Sequence, residues 1–459
     1  MDIRWDAITS MCAEWKSHEE RCKRLLSSLS TEGDTATWGL AKSTSNLFRD
    51  RMKAPRRRLN LGEFVHVGEV NVAEGWVDVE GSTTYEALVD ATLPRDVMPA
   101  VVPQLKTITV GGALAGVGIE ASSFAEGLVH HTLVELEVLL PDGTIVLCTP
   151  DNAHSDLFHG FPNSYGTLGY ALRARLRTRP VKPYVRVAHL AFRDPDAFFD
   201  NLSRCCAVRR MDFVDGVVFG ADSFVLNAAT FEDHVPFVSD YGYKEIYYRS
   251  LRQLDVDYLG VKDYLWRWDT DWFWCSRNFA AEHAWVRRLL GRSRLNSRTY
   301  TRLMRLNARL ELTRRWARLR GLHVESVIQD ADIPLPRAGE FLAFLRREIG
   351  ILPIWICPLR GLEVESFPLY PLTPGTLYVN FGFWDVVSRR TAFEPGHFNR
   401  LIEREVLRLG GIKSLYSDSF FTRAEFVATY AGPRYDQIRR RYDPSHRLLD
   451  LYEKCVQNG

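Results

Sequence analysis

At 459 residues, with 46% hydrophobic and 25% charged side chains, the chain is long enough to bury roughly two or three cores, which excludes a disordered ground state. A net charge of +2 is too small to draw nucleic acid to the molecule as a whole, so any electrostatic function must come from a local cluster. Eight cysteines without a Cys-x-x-Cys pair or a regular framework, two of them adjacent at Cys205 and Cys206, point to reduced thiols and a cytoplasmic location.

Residues 1–35 carry Trp5, Ile8, Met11, Cys12 and Trp15 at helical spacing before the breaker Ser30-Thr31-Glu32-Gly33-Asp34, which predicts a helical lead. Charge interrupts each apolar run there, so neither a signal peptide nor a spanning helix is expected. Next, Thr37 to Thr44 contains Gly39, Lys42 and Ser43, which supply flexibility, charge and a hydroxyl. Glu69 to Gly81 alternates like two strands, and Thr84 to Ala91 restores helical spacing, an α+β pattern.

Ile108 to Gly127 reads ITVGGALAGVGIEASSFAEG. Gly111, Gly112, Gly116 and Gly118 let backbone approach a ligand closely, and the amides of such a bend hold phosphate oxygens. Gly116 to Ala121 also satisfies Gly-x-Gly-x-x-Gly/Ala, but a Rossmann turn has to open a helix. Here the chain instead runs through Thr132 to Leu140, then Pro141-Asp142-Gly143-Thr144, then Ile145 to Leu147, which reads as a hairpin. Ser122 and Ser123 lack a Gly-x-Ser-x-Gly context, so they are not read as nucleophiles. His130-His131 and the pair His154 and His159 have no partner at zinc spacing, and no metal is expected.

After Arg179-Pro180-Val181-Lys182-Pro183 the glycines thin and Trp and Tyr become frequent, which places a domain boundary near residue 180. Between Arg287 and Arg320, twelve arginines stand against one acid, Glu311, with Leu290, Leu295, Leu303, Leu306, Leu310, Trp316 and Leu319 interleaved. A solvated helical face, a surface for anionic phospholipid and a nucleic-acid contact are all consistent with that cluster; no nucleic-acid partner is carried forward.

In order and spacing, Thr109 to Gly112, Gly116, Gly118, Ser122-Ser123, Gly127, the Pro-Asp-Gly hairpin, Asp156-Leu157-Phe158 and Gly166-Thr167-Leu168-Gly169 resemble the FAD-binding domain of the vanillyl-alcohol-oxidase (PCMH-type) flavoproteins. Val327-Ile328-Gln329-Asp330, Leu352 to Pro358 and Leu415-Tyr416-Ser417-Asp418 extend the likeness over most of the chain, toward the delta24-sterol reductases. Actinobacterial methylene-fatty-acyl reductases of tuberculostearic acid synthesis are similar in plan. The resemblance implies an α+β, two-domain flavoprotein: an FAD domain over 36–180, a substrate cap over 181–374 and a segment over 375–459 that completes the flavoprotein. It implies FAD held by Gly39, Lys42, Ser43, Thr109, Val110, Gly111, Gly112, Gly116, Gly118, Ser122, Ser123, Gly127, Gly166, Thr167, Leu168 and Gly169.

Relatives that tether the flavin use a His or Cys in the first phosphate loop, and Thr37 to Arg49 contains neither, so the FAD is expected to be non-covalent. NADPH is the expected hydride donor. The expected substrate is a lipid double bond, first a methylene-branched fatty acyl phospholipid, alternatively a sterol or isoprenoid side chain. An alcohol or sugar oxidase and an inactive lipid-binding relative are the remaining alternatives. Sugar oxidases carry His-Gly where this chain has Ile119-Glu120, and their Lys near the flavin corresponds to Ser419, which weakens the oxidase reading.

An isolated alkene has no carbonyl to stabilise negative charge, so its reduction needs a proton donor. Glu120, beside the glycine bend, is the first candidate, and a carboxylate bonded to backbone amides is the alternative. Tyr416 and Asp418 follow, with packing as the alternative for Tyr416. Tyr378 and Asn380 alternate with apolar neighbours as on a strand, facing either a cavity or solvent. Trp355 reads as a channel wall or as core. The enzyme is expected in the cytoplasm, peripheral on the inner face of the membrane through Arg287 to Arg320.

Overall fold

The computed structural model describes residues 5–29, 37–42, 48, 57–208, 210–310, 315, 317, 319–362 and 367–456. Ser43, Glu311, Arg314, Trp316 and Arg318 lie outside the described residues. A 25-residue helix, α1 (Trp5–Leu29), forms the expected lead. It is followed by a short parallel pair, β1 (Trp38–Leu40) and β2 (Arg57–Leu59).

Alternating β-branched and polar residues then build an antiparallel sheet. β3 (Val67–Asn71), β4 (Trp76–Glu80), β5 (Val97–Pro99), β6 (Leu133–Leu139), β7 (Ile145–Cys148) and β8 (Tyr170–Pro180) are ordered β3-β4-β8-β6-β7, with β5 also on β8. The β6–β7 turn forms at Pro-Asp-Gly: Asp142 Oδ1 accepts from Thr144 N at 2.8 Å, and Gly143 takes φ +90°. Between Gly116 and this hairpin lie only the four-residue helix Ser123–Glu126 and one 3-10 turn, so the Rossmann alternative is excluded by its own criterion.

Pro180 and Pro183 cannot donate to a ladder, and the chain changes sheets there. β9 (Tyr184–Phe192), β10 (Phe213–Gly220), β11 (Ser223–Glu232), β12 (Val256–Gly260), β13 (His323–Pro334), β14 (Ile354–Arg360), β15 (Leu377–Arg389) and β16 (Ile412–Lys413) form a second sheet, ordered β12-β9-β11-β10-β14-β15-β13-β16. One face buries Val214, Val218, Val327, Ile354, Ile356, Phe381 and Phe383 against helices Pro195–Ala207, Ala338–Phe344 and His397–Arg408. The other face carries Trp355, Asp330, Asp332 and Asn380 toward the first domain.

The start of the C-terminal segment differs from expectation. Leu377–Arg389 pairs along its length with β13 and also with β14, because Val379, Phe381 and Phe383 give it a core face of period two. Return to the first domain follows β16: Phe48 N donates to Tyr416 O at 2.9 Å, Tyr435 Oη to Thr167 Oγ1 at 3.0 Å and Trp38 N to Arg447 O at 2.9 Å.

Candidate functional site

A cavity of about 400 Å³ opens between the two sheets. Its first wall comes from the first domain: Gly39, Lys42, Gly81, Thr109, Gly111, Gly112, Gly116, Val117, Gly118, Ile119, Gly166 and Gly169. Its second wall comes from the cap sheet and the aromatic loop before it: Trp272, Phe273, Asp330, Trp355, Trp384, Ser414 and Tyr416.

On the first wall, Thr109 caps the helix Val110–Ala115, its Oγ1 accepting from Gly112 N at 3.3 Å. Gly111 and Gly112 therefore lie in the first turn of a short helix, where an open bend was expected. Lys42 Nζ donates to Thr109 Oγ1 at 3.4 Å, which puts an ammonium beside that helix start. The amides of Val110, Gly111 and Gly112 are already taken by Thr83 O, Gly81 O and Thr109 Oγ1, so, against the expected amide cradle, the Lys42 ammonium is what this corner offers to phosphate oxygens. A Cβ on Gly112 would stand 3.3 Å from Lys42 Nζ and fill the corner. The residues fit the diphosphate of FAD, and the apolar lining of Val117, Ile119, Trp272 and Phe273 fits a flat aromatic ring system.

Gly111 has a different reason. Its Cβ would meet Gly81 O at 2.9 Å, and a Cβ on Gly81 would come within 2.1 Å of Ala171 O. These two glycines let the helix, β4 and β8 pack backbone to backbone, so a side chain at Gly111 strikes protein before ligand.

Several residues expected on the cofactor lie away from the cavity. Val110 and Leu168 are core. Ser122 Oγ donates to Ala100 O at 2.9 Å, Ser123 Oγ accepts from Glu120 N at 3.0 Å, and Thr167 Oγ1 donates to Ser164 O at 2.8 Å. Gly127 closes the helix Ser123–Glu126 at φ +74°. Ser123, Thr167 and Gly127 serve local turns, and Ser122 ties its loop to the strand end at Ala100.

The proton-donor candidates also separate. Glu120 is buried outside the lining, in an ion-pair cluster: Arg267 Nη2 lies 3.3 Å from Glu120 Oε1 and 2.8 Å from Asp215 Oδ2. Asp215 also takes bonds from Asn227 Nδ2 and Trp355 Nε1. Burial pushes the Glu120 carboxyl up to about 7, against the pull of Arg267. Tyr378 Oη donates to Thr373 Oγ1 at 3.2 Å, and Asn380 Nδ2 donates to Asp332 Oδ1 at 2.7 Å; neither reaches the lining. Asp418 stands outside it too, its carbonyl accepting from Lys413 Nζ at 3.0 Å.

Tyr416 does line the cavity, and beside it stands a carboxyl that the sequence reasoning passed over, Asp330. Asp330 lies deep in the molecule yet opens onto the cavity. Burial, then the neighbouring Asp332, pushes its carboxyl up to about 7, while a hydrogen bond from Tyr416 opposes the rise. Tyr416 Oη accepts from Trp384 Nε1 at 2.9 Å. Register explains the grouping: Asp330 pairs with Gly382, and Gly382 with Trp355, across three adjacent strands. A Cβ on Gly382 would lie 2.8 Å from Asp330 Oδ1, so the glycine keeps space for the carboxyl. Trp272 and Phe273, at φ +43° and +60°, complete the aromatic wall in a conformation rare for bulky residues.

A lysine-bearing glycine corner joined to an aromatic-lined cavity in a two-sheet α+β frame is the arrangement of a two-domain PCMH-type flavoprotein. Residues 43–149 match the family described as an FAD binding domain, and the chain is an FAD-dependent oxidoreductase. Over 98% of its length it is 26% identical to the Delta(24)-sterol reductase of Arabidopsis thaliana, covering 86% of that protein. It is 26% identical to the Delta(24)-sterol reductase of Homo sapiens over 78% of this chain and 69% of that one. A shorter match, 32% identical over 33% of the chain, is to Cytokinin dehydrogenase 7 of Oryza sativa subsp. japonica, covering 30% of that protein.

Proposed function

We propose that this oxidoreductase reduces a carbon–carbon double bond in a lipid, with NADPH as hydride donor, and that Asp330 supplies the proton. The observation that carries the reading is the Asp330 carboxyl on a cavity wall made mainly of Trp272, Phe273, Trp355, Trp384 and Tyr416, where burial pushes it up to about 7. FAD, held non-covalently by the Lys42, Thr109 and Gly112 corner, would supply hydride to the substrate.

The chain's own residues supply the rest. Protonation by Asp330 adds a hydrogen to the less substituted alkene carbon and leaves cationic character on the more substituted one, which receives the hydride. Trp272, Phe273 and Trp384 line the cavity around that cationic centre, surround it with polarisable rings and keep water from capturing it. Tyr416, bonded to Trp384 Nε1 through its oxygen, keeps its own O–H for the Asp330 carboxylate left after proton transfer.

Two lipid classes are carried. The methylene-branched fatty acyl chain of a phospholipid is favoured by the arginine-rich face, which suits an anionic bilayer holding such a chain. A sterol side chain is favoured by the similarity to Delta(24)-sterol reductases. We further propose that the enzyme is cytoplasmic and docks peripherally on anionic membrane.

Anaerobic NADPH should bleach the flavin band, and adding one of the two lipids should restore it, with mass spectrometry showing a product gaining two hydrogens. Asp330→Asn should keep the FAD and the bleaching but slow recovery by about 100-fold or more. A flavin that stays yellow with NADPH and is bleached by an alcohol or sugar would replace this reading with that of an oxidase.

A further inference from the structure

We propose that His18, Cys22 and Glu137 form a transition-metal site of the zinc class, which clips α1 onto the first sheet. His18 and Cys22 are four residues apart on α1 and share one face. Glu137 presents its carboxylate from β6. His18 Nε2 lies 2.8 Å from Glu137 Oε1 and 3.5 Å from Cys22 Sγ, and Cys22 Sγ lies 3.9 Å from Glu137 Oε1. A tetrahedral Zn²⁺ with bonds of about 2.0 Å to N and O and about 2.3 Å to S spaces such atoms about 3.2–3.7 Å apart, so small shifts seat the ion.

The surroundings are those of a built site. His18 Nδ1 lies 2.7 Å from Glu80 Oε1, so the ring is oriented by a carboxylate behind it, as metal-bound imidazoles commonly are. Glu80 is fixed in turn by Arg21 Nε at 2.9 Å and Nη2 at 2.7 Å, and by His66 N at 3.0 Å and Nδ1 at 2.9 Å. His18 is buried, while Cys22 and Glu137 are half-buried, which leaves an approach for the ion and a fourth position for water. Binding releases to solvent the proton shared by His18 Nε2 and Glu137 and the thiol proton of Cys22; two anionic ligands then balance the dication.

None of the three residues lines the flavin cavity, so the site stands apart from the redox chemistry. One turn beyond Cys22, Leu25 packs in a core with Trp38, Leu61 and Tyr170, which do line it. Fastening α1 therefore steadies one wall of the cofactor chamber.

The full-length protein, purified without chelator, tests the site by elemental analysis and zinc-edge absorption. About one zinc per chain with a single sulfur neighbour is expected. Cys22→Ser, which leaves the His18, Glu80 and Arg21 contacts intact, should lose the sulfur signal and most of the zinc. A chelator should lower Tm in the wild type and leave Cys22→Ser unmoved. His18→Gln should also lose the metal and, should it misfold, Cys22→Ser still decides. Far less than one equivalent retained or taken up from added Zn²⁺ or Co²⁺, or unchanged zinc in Cys22→Ser, would overturn the assignment.

Discussion

Two buried carboxyls, Glu120 and Asp330, are both pushed up to about 7, and only their placement tells them apart. Glu120 spends its charge on Arg267; Asp330 opens on the cavity. As a general acid, Asp330 acts while protonated, so alkene-dependent reoxidation of the reduced flavin should fall as pH rises through about 7. Tyr416 holds that carboxyl down, so in Tyr416→Phe the alkaline limb should move to higher pH in stopped-flow profiles. Glu120→Gln should leave the limb where it is. A limb that follows Glu120 and ignores Asp330→Asn would transfer the role to Glu120. The sequence already contains Asp330 in Val327-Ile328-Gln329-Asp330. Strand periodicity puts Asp330 and Asp332 on one face, yet only the cross-strand register with Gly382 and Trp355 reveals which of them meets open space.

At the level of elements, local signals carried far where the chemistry was local. Pro-Asp-Gly marks the β6–β7 hairpin, the prolines after Arg179 mark the change of sheet, and Trp5 to Trp15 mark α1. Side-chain roles set by distant partners were not legible: Ser122 is taken by Ala100 O, Thr167 receives Tyr435 Oη, and Cys22 meets Glu137 from a strand more than a hundred residues later. Trp272 and Phe273 adopt positive φ, which no propensity of bulky aromatic residues foretells. The loop that bears them is anchored by Arg267, fully buried between Glu120 and Asp215. Removing the cation leaves two carboxylates in a dry interior, an imbalance that costs about 3–5 kcal/mol. Arg267→Met should lower the denaturation midpoint accordingly in urea titrations and release FAD at milder conditions than the wild type. Unchanged stability would mean that the cluster titrates to neutrality without its arginine.

Across the whole molecule, charge is nearly balanced, but its distribution is not. Among the described residues of the arginine-rich segment, Arg287 belongs to the interior, Nη1 lying 2.5 Å from Asp271 Oδ1. Arg288, Arg292, Arg294, Arg298, Arg302, Arg305, Arg315 and Arg320 are exposed. Exposed among them are Trp285 at 69%, Leu289 at 74% and Leu319 at 86%, large apolar surfaces that water solvates poorly. No described helix is long and apolar enough to cross a bilayer; the proposed docking on anionic membrane would run through this face. Arg292 and Arg298 are engaged with Asp240 and Glu86, which makes Arg288, Arg294 and Arg302 the better probes. Each basic side chain near an anionic surface contributes about 1 kcal/mol, so replacing those three with Gln should weaken vesicle binding by about 100-fold at low salt. Sedimentation with phosphatidylglycerol-containing vesicles should show that loss, and added salt should weaken the wild type in the same direction. Trp285→Ala should weaken binding with little change in its salt dependence, because it removes buried apolar area and no charge. Equal sedimentation with neutral and anionic vesicles, or with neither, would remove the membrane from the proposal and leave the arginines as a solvated face.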